Sequence, residues 1–115
     1  ELREALKIRG HRFETTSDTE VLLRAYVEYG VDFVKQLNGM FAFLLLDSRL
    51  NRVVAARDHF GIKPLYFHVT DRHVLYASEV KALLAHPDVR AEVCPQGLQD
   101  YVTFQYTLGE TTLFR

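Results

Sequence analysis

The stretch RDHFGIKPLY, residues 57–66, interrupts a region that is otherwise strand-like on both sides. A charged pair, Arg57 and Asp58, is followed by Gly61 and Pro64. A simple hairpin needs only a two-residue turn such as Asn-Gly. This connection spends eight residues, 57–64, among them a glycine free to take positive φ and a proline with φ fixed near about −65°. Such a segment sets a path, and Arg57 with Asp58 can clamp it by hydrogen bonds to backbone groups. The residues alone leave two readings open: a rigid crossover between strands, or the wall of a binding site or docking surface.

Upstream, the pattern is strand and then helix. MFAFLLLD (40–47) is continuous in apolar residues, as expected of a strand buried on both faces, and RVVAARD (52–58) returns after an SRLN turn. SDTEVLLRAYVEYG (17–30) carries a full helix signature. Ser17 can cap it, Glu20 can close a capping box, and Gly30 can stop it. Val21, Leu22, Ala25, Tyr26 and Tyr29 make one apolar face. DFVKQL (32–37) reads as one more short helix, HRFETTS (11–17) as a short strand leading into a turn, and ELREALKI (1–8) as an amphipathic helix ended by Gly10.

Downstream, PLYFHVT (64–70) and HVLYASE (73–79) read as two strands joined by a tight turn at Asp71-Arg72. Ser78 is expected to cap a helix over 79–86, stopped by Pro87, and 95–104 reads as a last helix with Pro95 at its first position. Tyr66, Phe67, Tyr76 and the 40–46 run are expected in the core. Helices, then sequential strands, then helices define an α+β chain with mainly antiparallel sheet.

Composition bounds the function. The chain has 115 residues, 48% hydrophobic and 25% charged, with a net charge of −1. A complete domain of this size buries roughly 65% of its unfolded surface, enough for a core. No basic stripe points to nucleic acid, and no apolar run approaches the length of a membrane span. The opening ELREALKIRG shows no signal peptide, and the single cysteine, Cys94, fits a reducing cytoplasm. Five histidines lie scattered without metal-ligand spacing, so no metal site and no cofactor are expected in this chain.

RDHFGIKPLY resembles the signature segment of class II glutamine amidotransferase domains, those with an N-terminal nucleophilic cysteine. Its neighbours match in order. LNGMFAFLLLD (37–47) resembles the strand before it, YASEVKALL (76–84) the segment after it, and TSDTEVLLRAY (16–26) the preceding helix. LQDYVTFQYTLGETTLF (98–114) resembles the passage to the synthetase domain in glutamine-hydrolysing asparagine synthetases. The resemblance implies a four-layer αββα sandwich, of which 1–115 would be the C-terminal part, with 98–115 beginning that passage. It also makes the 57–64 link a family hallmark beside the glutamine site.

Members of this family hydrolyse glutamine and pass ammonia through an internal channel to a second site. In the asparagine synthetases that site uses ATP, with magnesium, to activate aspartate. The resemblance implies a cysteine nucleophile at the mature N-terminus, an arginine that holds the substrate carboxylate, and an asparagine–glycine oxyanion hole. None of these segments is found before Ser17, so no catalytic residue is assigned and the chain alone is expected to be inactive. Cys94 cannot substitute, having no free α-amine, and a buried or capping role is expected for it.

One position carries over. Asp18, in SDTE, matches the aspartate that binds the α-ammonium of L-glutamine; on chemistry alone it could equally complement the helix dipole. The expected partners are therefore L-glutamine, the missing N-terminal segment and a downstream synthetase domain, and exposed sheet would make the isolated piece self-associate. Two alternatives are a non-catalytic amidotransferase-like binding or regulatory module and a related enzyme with a different carboxylate acceptor.

Overall fold

Ser17 begins the longest helix, α2 (Asp18–Tyr29), by accepting a hydrogen bond from Thr19 N through its side chain. Gly30, at φ +60°, ends it. The apolar face turns inward as its spacing requires: Val21, Ala25 and Tyr26 are buried, with Leu22 and Tyr29 packed beside them. In the computed structural model, which describes residues 1–115, the chain divides into two units, Glu1–Pro64 and Leu65–Arg115.

The first unit packs α1 (Leu2–Ile8), α2, a 3₁₀ segment (Gly30–Gln36) and a hairpin of β1 (Ala42–Asp47) with β2 (Arg52–Arg57). Leu6 and Phe33 are fully buried at its centre with Leu45. Phe33 meets Tyr26 edge to face, ring centroids 5.7 Å apart, and Phe43 at the same distance. Antiparallel pairing runs from Ala42 opposite Arg57 to Asp47 opposite Arg52. The buried Asp47 accepts from Tyr26 Oη at 2.9 Å and from the Arg49 and Leu50 amides, tying the turn to α2. Burial pushes its carboxyl up, but bonds from Leu50 N, Tyr26 Oη and Arg49 N outweigh this and hold it below the ordinary range.

The second unit has a hairpin of β3 (Tyr66–Val69) and β4 (Val74–Ala77), with Tyr66 opposite Ala77. Its turn lies at Asp71-Arg72 as expected, closed by Thr70 N donating to His73 O at 2.8 Å. The short α3 (Val80–Leu84) buries Leu83. Helix α4 (Pro95–Phe104) starts at Pro95 and buries Asp100, which accepts from Gln96 Nε2 and Leu108 N. The 112–114 segment returns across this helix: Leu113 O accepts from Cys94 N at 2.9 Å, and Val93 bridges Phe114. Cys94 sits at the N-cap position, half-buried, without a side-chain capping bond.

Several local expectations are corrected. Residues 11–17 form no strand, because their backbone groups bond to side chains of α1 and α2 instead of a neighbouring strand. DFVKQL winds as a tighter 3₁₀ helix that begins at Gly30. Ser78 caps nothing: the N-cap of α3 is Glu79, no side chain closes it, and the helix stops at Leu84, where His86 N turns back to Leu83 O. The 40–46 run is not buried on both faces. In the two-stranded sheet Leu45 points into the core, whereas Leu44 and Leu46 are 50% and 70% exposed. Phe67 is 68% exposed for the same reason, since its hairpin packs on one face only. No helix is long and apolar enough to cross a membrane.

Candidate functional site

The 57–64 link folds into a knot, and the charged pair makes it. Gly61 takes φ +61°, the left-handed region where an L side chain is strained. That bend turns the Gly61 and Lys63 carbonyls toward Arg57, which donates to them at 2.6 and 3.0 Å. Asp58 fills the inside of the turn: Ile62 N and Lys63 N donate to its carboxylate at 2.9 and 3.0 Å. It is 6% exposed. Phe41 N donates to the same group at 3.2 Å, while Asp58 N donates to Phe41 O at 2.8 Å. The knot is thereby tied to the residue that leads into β1. The Lys63 amide is the main cause of a carboxyl pKa below the ordinary range; burial opposes it, and Ile62, Phe41 and Phe60 amides add to it. The expected backbone clamp by Arg57 and Asp58 is present.

Asp18 is the first residue of α2, and its carboxylate is exposed. It makes no hydrogen bond or ion pair within the chain. Glu20, two residues on, is used very differently. Its carboxylate turns back over the preceding loop and accepts from Glu14 N at 3.0 Å, Thr15 N at 2.8 Å and Thr15 Oγ1 at 2.7 Å. These bonds, the one from Glu14 N foremost, lower its pKa from the ordinary 4.5 to about 2. The expected capping box is therefore not formed: Ser17 N donates to Thr15 Oγ1 at 3.2 Å, not to Glu20.

Sequence reasoning missed a third group here. Arg3 of α1 donates to Thr15 O at 2.7 Å and to Ser17 O at 2.8 Å, with its guanidinium 4.7 Å above the Phe13 ring. The spacing of a single arginine on an amphipathic helix gives no sign of a contact 12 to 14 residues away. A shallow groove of about 350 Å³ runs along Val34, Phe41, Ala56, Arg57 and His59, and Asp18 does not line it. No group of three or more His, Cys, Asp and Glu side chains gathers as a metal-ligand set.

A knot built by Arg-Asp around glycine, followed by proline, and a helix opened by Ser-Asp-Thr-Glu both occur in the first unit. Both lie within one family match: residues 1–115 correspond to the family described as glutamine amidotransferase domain, and the chain belongs to that family. Among curated proteins it is 49% identical over 100 residues, 87% of this chain and 16% of the relative, to asparagine synthetase (glutamine-hydrolyzing) 3 of Bacillus subtilis. Asparagine synthetase (glutamine-hydrolyzing) 1 of the same organism is 44% identical over 114 residues, 98% of this chain and 18% of the relative. Amidase chry2 of Gibberella zeae is 37% identical over 103 residues, 90% of this chain and 15% of the relative. The chain thus spans less than a fifth of the length of these relatives.

Proposed function

We propose that this chain is the C-terminal part of the glutaminase domain of a glutamine-hydrolysing asparagine synthetase, and that Asp18 binds the α-ammonium of glutamine. The observation that carries the reading is the match of residues 1–115 to the glutamine amidotransferase family, and the contrast at the start of α2 supports the role of Asp18 within it. Glu20 is consumed by the loop, whereas Asp18 is left exposed and unpaired. A carboxylate in that state is ready for a cation, and a charge-assisted hydrogen bond to an ammonium group holds it in register. The helix N-terminus has the wrong polarity to attract the ammonium by itself, so the side chain must supply the charge.

In this proposal the α+β units form part of a four-layer αββα sandwich. The nucleophile, the carboxylate-binding arginine and the oxyanion hole belong to residues outside the chain. Covalent acyl transfer requires such a nucleophile, so residues 1–115 by themselves do not hydrolyse glutamine. Ammonia released from glutamine passes to a synthetase domain, whose ATP and magnesium lie outside this chain. Residues 98–115 begin the passage to that domain. A second reading is an amidotransferase with a different carboxylate acceptor, supported by the similarity to a relative that is named as an amidase and not as an asparagine synthetase.

Exchanging Asp18 for asparagine in the intact protein tests the reading. Losing a charged hydrogen bond costs roughly 1.5–3 kcal/mol, or about 10- to 150-fold in glutamine-dependent kcat/KM. Ammonia-dependent synthesis should be nearly unchanged, since free ammonia bypasses the site. Equal damage with both nitrogen sources would instead assign Asp18 to the helix terminus.

A further inference from the structure

The loop that delivers Asp18 is held more densely than its exposure calls for. Residues 14–17 are all exposed, so burial contributes little to their order. Their backbone polarity is nevertheless satisfied from two sides. Carbonyls 15 and 17 accept from Arg3, and amides 14 and 15 donate to Glu20. Thr15 Oγ1 adds a bond to Ser17 N, and Ser17 Oγ one to Thr19 N. The carbonyl of Ser17 belongs to the peptide unit joined to Asp18. That peptide plane, together with the helical φ of Asp18, sets the direction in which the Asp18 Cα–Cβ bond leaves the helix.

The geometry points to Arg3 as a positioning residue for glutamine binding, acting through the Ser17–Asp18 peptide to hold the Asp18 carboxylate in its ammonium-binding direction. This rests on the assignment of Asp18 proposed above. The planar guanidinium suits the task, because its two Nη atoms reach two carbonyls two residues apart at once. Stacking over Phe13 limits its rotation. A lysine in its place carries the charge but presents a single point donor, so it holds one of the two carbonyls and leaves the other without this restraint. Glu20 supports the same loop from the other helix.

Steady-state glutaminase kinetics of the intact protein test the inference with Arg3→Ala, Arg3→Lys, Asp18→Asn and the Arg3→Ala/Asp18→Asn double variant. Lost preorganisation should raise the glutamine KM of Arg3→Ala about tenfold while kcat stays within about twofold, with Arg3→Lys between it and wild type. In the Asp18→Asn background the same Arg3→Ala change should raise KM less than about twofold, since the group it positions is gone. Arg3→Lys covers the case in which the alanine variant does not fold. An unchanged KM in both Arg3 variants, or a full additional rise in the Asp18→Asn background, overturns the positioning role. An Asp18→Asn enzyme with wild-type KM, or a wild-type protein without glutamine turnover, overturns the assignment of Asp18 and this inference with it.

Discussion

Replacing Gly61 with valine attacks the knot at its tightest point. The native φ of +61° is open to glycine, whereas an L residue in the left-handed region loses about 1–2 kcal/mol, and β-branching places valine at the upper end. A Cβ at this position would also stand 2.3 Å from Arg57 Nη2 and 2.6 Å from Cζ. The guanidinium must then leave, and with it the bonds to Gly61 O and Lys63 O. Arg57 is exposed, so each of those bonds is worth the ordinary net value of about 0.5–1.5 kcal/mol rather than a buried-charge value. The combined loss is about 2–5 kcal/mol in local stability. Hydrogen exchange reads it directly at the Ile62 and Lys63 amides, which donate to Asp58. Opening should become roughly 30-fold or more easier, at tenfold per about 1.4 kcal/mol. Asparagine tolerates positive φ, so Gly61→Asn should lose less than Gly61→Val while evicting Arg57 equally. A valine variant within about 0.5 kcal/mol of wild type, the usual surface range, would refute the reasoning. So would an asparagine variant as damaged as the valine one.

Two further outcomes follow from bonds in the other elements. Glu20 has a folded-state pKa depressed to about 2 from 4.5, so its contribution is complete above 4.5 and is lost as pH falls toward 2. The Glu14 and Thr15 amide chemical shifts should therefore titrate in that window, and Glu20→Gln should abolish the transition. Gly97→Ala in α4 would gain about 1 kcal/mol by helix propensity alone. The added Cβ, however, would meet Thr112 O at 2.2 Å, a backbone atom that cannot swing aside, so a lowered thermal midpoint is expected and a raised one would contradict the close packing.

Much of the local structure was written in the residues themselves. Pro95 and Gly30 mark helix ends because one lacks an N–H and the other reaches positive φ. The period of Val21, Ala25 and Tyr26 placed the buried face of α2, and Arg57, Asp58 and Gly61 together announced a clamped turn. Asp18 could be singled out only by resemblance, since an acidic residue at a helix start has an ordinary structural use. Tertiary structure decided which acidic residue of α2 stays free. Glu20 had the spacing of a capping box, but the loop at 14–15 and its hydroxyl offered three donors where Ser17 offered one. Arg3 found its carbonyls 12 and 14 residues away, a pairing that chain distance hides and only the packing of α1 against α2 creates. The same holds for MFAFLLL. Its apolar run demanded cover on both faces, but how much each face receives depends on what packs against the hairpin, and alternation along a strand sends Leu44 and Leu46 to the side opposite Leu45.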